Sequence, residues 1–310
     1  MKMDFAMLIR GYREQAGLSQ DALAQQLSEL MPHKPSIDVG TISRWERQAS
    51  VPSLRNQLYI LRKLAIPVVT RRFQPEGASE VAKQLLRKRF NRFCGLGDVP
   101  YRQAKPQFQL QESACIDDFL NDTTMLQASH LMRPSGIAVD ELRGLLKQLN
   151  DLKVYLLRFY QGSQLVSHLA YAVANTEEIQ RLLEAYHQIK LDDFFAAEPK
   201  GRSLVNFSAY LSDLALYMFC AQRLVSTIEA DHSIDWCLSY SSINEDWQVY
   251  KQLGAKVLLR GNPKDSGGIR IGKGRFSAVL CGVDSNSILA SPITAIAEQS
   301  IASLADIEVI

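Results

Sequence analysis

Cysteine is scarce and poorly placed for structural chemistry. The five in the chain, Cys94, Cys115, Cys220, Cys237 and Cys281, are scattered, odd in number and free of any C-x-x-C pair. That excludes a disulfide framework and a zinc finger, and it points to a reducing cytoplasm. Histidine is equally thin: His33, His130, His168, His187 and His232 show no metal-ligand spacing. Cys237 and His232 lack an orienting partner for nucleophilic work, so a buried thiol is the default reading. No run approaches the ~18 apolar residues of a membrane span. The first residues also lack the apolar core and cleavage site of a secretory signal. Two glycine-rich stretches, residues 261–268 and 272–274, miss the spacing of a phosphate loop and read as hairpin turns. No metal, cofactor or membrane is expected, and the chain reads as a cytoplasmic protein.

Hydrophobic residues make up 46% of the 310, enough to bury a substantial core in about two domains. A net charge of +2 hides an uneven distribution. Residues 1–66 hold nine Lys/Arg against six Asp/Glu, and residues 67–105 hold nine against three. Residues 106–310 hold seventeen against twenty-four. A basic front on an acidic rear is what a nucleic-acid-binding unit joined to a non-binding body would show.

Residues 1–66 are patterned for short helices. Phe5, Leu8, Ile9 and Tyr12 recur at helical spacing over residues 4–16, and Gly17 supplies a left-handed stop. Ser19 is a fitting N-cap for a second helix carrying Ala22, Leu23, Ala24 and Leu27, which Pro32 and Pro35 should end near Met31. In the next segment, residues 39–47, Ile42 and Trp45 share a buried face while Thr41, Ser43, Arg44 and Arg47 point outward. Ser53 caps a further helix through Leu54, Leu58, Leu61 and Leu64.

Gly17-Leu18-Ser19-Gln20, Ala22-Leu23-Ala24, Thr41-Ile42-Ser43-Arg44-Trp45-Glu46-Arg47 and Val51-Pro52-Ser53-Leu54 together resemble the Xre/Cro/phage-repressor helix-turn-helix family. The resemblance covers about a fifth of the chain and implies an all-α five-helix unit that binds double-stranded DNA as a homodimer on a two-fold operator. Gln20 matches a residue that holds a phosphate and braces the recognition helix. Val39, Gly40 and Arg44 match base-contacting positions, flanked by Thr41, Ser43 and Arg47; Arg13 and Glu46 match a structural ion pair. Between Leu27 and Ser43 the chain runs about eight residues beyond the family norm. Two outcomes are open: a longer second helix with a looped connection, or a connection that meets the DNA backbone through His33 or Lys34.

Residues 67–75 read as a linker, punctuated by Pro67 and Pro75. A basic helix over residues 79–93 follows, either an extra phosphate contact or a solvated face with arginine stems over apolar surface. Residues 76–310 alternate as an α+β domain. Two strands flank Gln161-Gly162-Ser163 as a hairpin, Thr176 caps a helix, and residues 203–210, 233–240 and 255–260 read as strands. Strongly apolar residues 214–228 and residues 244–253 read as helices, with β-character again over 269–283. Residues 107–134 and the last twenty give no assignment.

The element order, with Ser239-Tyr240-Ser241-Ser242-Ile243-Asn244 leading to Tyr250-Lys251-Gln252-Leu253-Gly254-Ala255, resembles the GNAT acyltransferase fold and its acyl-homoserine-lactone-synthase-like relatives. The resemblance implies a mixed sheet flanked by helices, with Tyr250 as a general acid to a departing thiolate. Asn244 stands one position late, and Ala255 replaces an aromatic residue. The family cradles coenzyme A pyrophosphate on a glycine-rich loop. The corresponding stretch, residues 208–214, holds no glycine and carries Asp213. Tyr210, Trp236, Tyr240, Trp247 and Tyr250 are the candidates for a ligand pocket, with aromatic core packing as the alternative. The expectation is therefore a DNA-binding transcription regulator that is not an enzyme, whose rear domain dimerises and senses a small, acyl-like effector. Its alternatives are an acyltransferase or acyl-amide synthase carrying a DNA-binding domain, and a structural interaction protein.

Overall fold

The computed structural model describes residues 4–32, 36–67, 80, 82–86, 88, 108–122, 144, 146–187, 201–211, 214–294 and 307–309. Its first unit holds α1 (Phe5–Gln15), α2 (Gln20–Leu30), α3 (Val39–Glu46) and α4 (Leu54–Lys63). Each begins on an oxygen-bearing side chain that accepts a backbone N–H of the first turn: Asp4, Ser19, Asp38 and Ser53. Gly17, at φ 66°, ends α1 as its position predicts. Helix α2 stops at Leu30, ahead of Pro32. The expected five helices are four among the described residues, because the chain after α3 turns through Gln48 at φ 59° straight to the cap of α4.

Ile42 and Trp45 are buried as their spacing requires, and Trp45 meets Phe5 edge-on at 5.6 Å. Glu46 lies beneath them, 5% exposed, and accepts from Arg13 Nε at 2.6 Å and from Gln20 Nε2 at 2.8 Å. Burial pushes the Glu46 carboxyl up, but the hydrogen bonds from Arg13 and Gln20 and the charge of Arg13 outweigh it. The carboxyl is held below its usual range. Because the folded value is depressed, this stabilisation is present above the unfolded value of ~4.3 and is lost as pH falls through the folded one. Glu46→Ala is expected to cost about 3 kcal/mol at neutral pH, read by urea unfolding, and the difference from wild type should shrink as the buffer is acidified below pH ~4.

The second unit is built on an eight-stranded sheet in the order β10-β1-β2-β3-β4-β5-β9-β6. Its strands are β1 (Phe108–Ser113), β2 (Lys153–Gln161), β3 (Gln164–Asn175), β4 (Arg202–Tyr210), β5 (Ile234–Ser241), β6 (Lys256–Arg260), β9 (Val279–Asp284) and β10 (Ile307–Val309). A small hairpin, β7 (Ile269–Ile271) and β8 (Gly274–Phe276), stands apart from it. Its helices are α5 (Ile116–Leu120), α6 (Thr176–His187), α7 (Leu214–Ala230), α8 (Asn244–Gln252) and α9 (Ser285–Leu289).

Strand β3 shows why the sheet is covered on both faces. Leu169, Tyr171 and Val173 share the core of α7, whereas Ala170, Ala172 and Ala174 face the opposite layer. There the small side chains leave room for α6 and for Phe119 and Phe207, whose rings stack at 6.2 Å. The hairpin β2–β3 turns at Gly162, φ 61°, as expected. The cap of α6 differs from expectation. Asn175 accepts from Glu177 N at 2.9 Å, while Thr176 is buried and shares a hydrogen bond with Ser203 Oγ at 3.0 Å. Strand β1 and helix α5 fall in residues 107–134, where alternation is too short to read. The connection through His33 and Lys34, residues 68–79 of the linker region, most of the basic helix and Asp213 lie outside the described residues.

The two units touch through α4 and α9. Leu58 and Leu61 join the same apolar cluster as Leu289. Arg62, 4% exposed, sends Nη2 to the carbonyl of Ile234 at 2.6 Å and to that of His232 at 3.2 Å. Its Nη1 reaches Asn286 Oδ1 at 3.1 Å. Arg55 pairs with Asp284 at 3.0 Å and Lys63 with Asp235 at 3.5 Å on the rim. Among the described residues, no helix is long and apolar enough to cross a membrane.

Candidate active site

Strands β4 and β5 run parallel, linked by α7, and pair from Arg202–Ile234 to Asn206–Ser239. Beyond that pair they part. Residues 208–210 stay with β3, while Tyr240 and Ser241 stay with β9. The cause lies one strand over. Ala170 faces Ser208 and Tyr171 faces Asn206, so Phe207 is an extra residue that bends β4. The split leaves backbone polar groups of two parallel strands facing a gap at their C-terminal ends, where such sheets hold ligands.

A cavity of about 400 Å³ fills the gap, a size suited to a small ligand. Helix α7 supplies one wall through Tyr217, Cys220, Ala221, Leu224, Val225 and Ile228, a stripe at helical spacing. Helix α8 supplies another through Asp246, Val249 and Tyr250, with Leu253 at its C-cap, and α9 adds Ile288. Of the lining residues, Tyr210 is 53% exposed, whereas Leu204, Cys220 and Ile228 are buried. The lining is mainly aliphatic, with Asn206, Ser239, Ser242, Asp246 and Thr294 among its polar side chains.

Tyr250 and Ser239 are joined hydroxyl to hydroxyl at 2.7 Å. Burial is the main cause that drives the Tyr250 phenol upward, so it keeps its proton, and either hydroxyl of the pair can donate to the other. The thiols fit nucleophilic work badly. Burial pushes Cys237 and Cys281 up to about 12, and Cys220 higher still. Cys237 meets Ser285 Oγ at 3.8 Å rather than His232. His168 is buried against Ser208 Oγ at 2.7 Å. Among the described residues, no cluster of His, Cys, Asp and Glu could hold a metal ion.

Of the five pocket candidates, Tyr210, Tyr240 and Tyr250 line the cavity. Trp236 does not: it lies on the paired part of β5, opposite Ser203, and packs in the layer beneath α6. Trp247 does not either, because it turns from the α8 stripe towards Ile269, Val279 and Cys281. The α7 stripe and Asp246 escape a reading of the chain, since an apolar helix face looks the same whether it covers a core or a cavity. The i, i+4 spacing of Asp246 and Tyr250 is the signal that could have paired them. Of the residues matched to DNA contact, Val39 and Arg44 on α3 and Arg47 at its C-cap are exposed, with Gly40, Thr41 and Ser43 partly so. Arg44 Nη2 donates to Thr41 Oγ1 at 2.9 Å, and Gln20 is turned inward to Glu46.

A mixed sheet whose two parallel central strands are joined by a helix and separate over a cavity, with an antiparallel pair beyond, defines a GNAT-like α+β domain. Among solved structures, the chain is similar to FeeM, an N-acyl amino acid synthase from uncultured soil microbes, at 12% identity and a TM-score of 0.39, over 62% of this chain and 99% of that one. It is also similar to an acetyltransferase of Bacillus subtilis in complex with CoA, at 15% identity and a TM-score of 0.30, over 57% and 99%. A third, described as an acetyltransferase of Sphaerobacter thermophilus, stands at 13% identity and a TM-score of 0.28, over 58% and 94%. No protein-family model matches the chain. No curated protein matches it. The expectation of a transcription regulator without enzymatic activity is corrected here: the structures matched are acyltransferases. The expectation leaned on the glycine-free residues 208–214, and the absence of one phosphate cradle does not exclude an enzyme.

Proposed function

We propose that the chain is an N-acyltransferase, an acyl-amide synthase that moves an acyl group from a thioester to an amine and carries a DNA-binding unit at its front. The observation that carries this reading is the apolar cavity at the β4–β5 split, walled by the hydroxyl pair of Tyr250 and Ser239. An acyl chain fits the aliphatic inner end, which places its thioester carbonyl among the backbone groups of the parted strands, where oriented N–H dipoles stabilise a developing oxyanion. The ammonium first loses a proton to water; the neutral amine then attacks the carbonyl carbon, the C–S bond breaks, the thiolate takes the Tyr250 proton, and the phenolate regains one from the acylated nitrogen. Ammonium and thioester thus give amide, thiol and one proton released. Acyl recognition, rather than a pyrophosphate cradle, holds the donor, in keeping with the glycine-free residues 208–214. Full-length protein mixed with acyl-N-acetylcysteamine thioesters and simple amines should release thiol and form amide. Absence of amide with every chain length and amine tried would overturn the reading.

The front unit, residues 1–66, is proposed as an Xre-type helix-turn-helix that anchors the enzyme to double-stranded DNA. Gln20, Val39, Gly40, Thr41, Ser43, Arg44 and Arg47 would form its DNA face, and the chain would be a homodimer on a two-fold site. The support is the outward face of α3, left clear because the unit docks through α4. Arg44→Ala should weaken binding to a selected duplex by ~1–3 kcal/mol in a titration at fixed salt, and unchanged binding would remove the anchor.

A further inference from the structure

Residues 251–275 hold seven Lys/Arg and a single carboxylate, Asp265. Residues 106–310 as a whole hold seventeen against twenty-four, so the rest of the rear unit carries ten against twenty-three. A cationic island on an acidic body repels itself until a partner neutralises it. Neither the cavity nor the contact between the units engages these cations.

The fold sets them in a row. Arg270 of β7 stands directly opposite Arg275 of β8. On the other side of β8, Pro263 bridges Phe276, and Lys264 N donates to the carbonyl of Arg275 at 2.9 Å. Lys264, Arg275 and Arg270 therefore lie side by side across three adjacent extended segments, roughly 4.8 Å apart. Lys273 sits in the turn between β7 and β8, and Arg275 Nη1 is braced on the carbonyl of Gly267 at 3.2 Å. Alternation turns Ile269 and Ile271 the other way, against Trp247 of α8, so the row faces outward and all four cations are exposed. Like charges placed opposite each other weaken a ribbon. Among the described residues, none of the four makes an ion pair.

What the patch lacks narrows the partner. No large apolar side chain of residues 251–275 is exposed, whereas a protein interface is centred on apolar and aromatic contacts. Phosphate contacts need only cations and backbone N–H groups. A two-stranded ribbon fits the major groove of B-form DNA, and the narrow major groove of A-form RNA shuts it out. We infer that the β7–β8 ribbon is a nucleic-acid contact: Lys264, Arg270, Lys273 and Arg275 bind the sugar–phosphate backbone of duplex DNA without reading its sequence. This site goes beyond acyl transfer and is independent of the DNA face of α3.

The test uses the full-length chain and a random-sequence duplex, with affinity followed by fluorescence anisotropy over a salt series. Lys264→Gln/Arg270→Gln/Lys273→Gln/Arg275→Gln should make the slope of log affinity against log salt shallower by ~2–4. Arg270→Lys/Arg275→Lys keeps the charge and should keep the slope. If melting curves show that the fourfold variant does not fold, Lys264→Gln/Lys273→Gln leaves both arginines in place and should shift the slope by ~1–2. An unchanged slope in a folded glutamine variant would overturn the inference. Tighter binding to duplex RNA would overturn it too. So would poly-L-glutamate competing as well as the duplex, charge for charge, which marks a surface for an acidic protein. A shallower slope in the glutamine variant with unchanged binding in Arg44→Ala keeps the ribbon and removes the α3 anchor. The reverse keeps the anchor and removes the ribbon.

Discussion

Tyr250→Phe is expected to lower kcat of thioester-dependent amide formation by about 10²–10⁴-fold while leaving the KM of the thioester nearly unchanged. The change removes one hydroxyl and little volume, so the aliphatic walls that hold the acyl chain stay in place. What is lost is the donor proposed to protonate sulfur, together with its hydrogen bond to Ser239 at 2.7 Å. Because the loss falls in the transition state, it belongs in kcat. The sign of the pH dependence follows from burial, which raises the phenol above its ordinary value. The donor form persists as pH rises, so wild-type activity should show no fall attributable to this group below pH ~10. A descending limb near neutrality that disappears in the Phe variant would contradict the assignment. A thiol-release assay across pH, with melting curves confirming that the variant folds, reads all of this.

Arg62→Ala is expected to destabilise the chain by about 3 kcal/mol or more. The guanidinium holds the carbonyls of Ile234 and His232 and the amide oxygen of Asn286 within an apolar contact between α4 and α9. Removing it strands those acceptors away from water, and each buried orphan costs ~1–3 kcal/mol. Burial also draws the guanidinium below its ordinary value, against the carboxylate of Asp235 and others that raise it, yet the group remains charged throughout the working range. Rim pairs such as Arg55–Asp284, at 3.0 Å and half exposed, should contribute far less. Urea unfolding of Arg62→Ala beside Arg55→Ala separates the two. Comparable losses would mean that the contact between the units is held by its rim.

How much of this was legible varies with the kind of signal. Caps and periodicity located the helices of residues 1–66 to within a residue, because Ser19, Ser53, Gly17 and Pro32 act through neighbours in the chain. Alternation placed β2 to β6 for the same reason. Asn175 displaced Thr176 as a cap only because Ser203, on another strand, takes the threonine hydroxyl. The cavity was half legible. Aromatic residues at 210, 240 and 250 were in view, but Trp236 and Trp247 share their chemistry and face elsewhere. Nothing local distinguishes a strand that parts from its neighbour, since the bulge at Phe207 exists only in its register with β3. Function was misread for a related reason. The glycine count of residues 208–214 is a local fact, whereas the cavity depends on two distant strands diverging.

The seat of Arg62 has a consequence for dividing the molecule. The backbone it grips, at Ile234, opens the same strand whose Cys237 walls the cavity, and Asn286 sits two residues before Ile288 in that wall. Cutting the gene after the front helices would therefore yield two sticky halves, one bearing an orphaned cation and the other a hollow with a loosened floor.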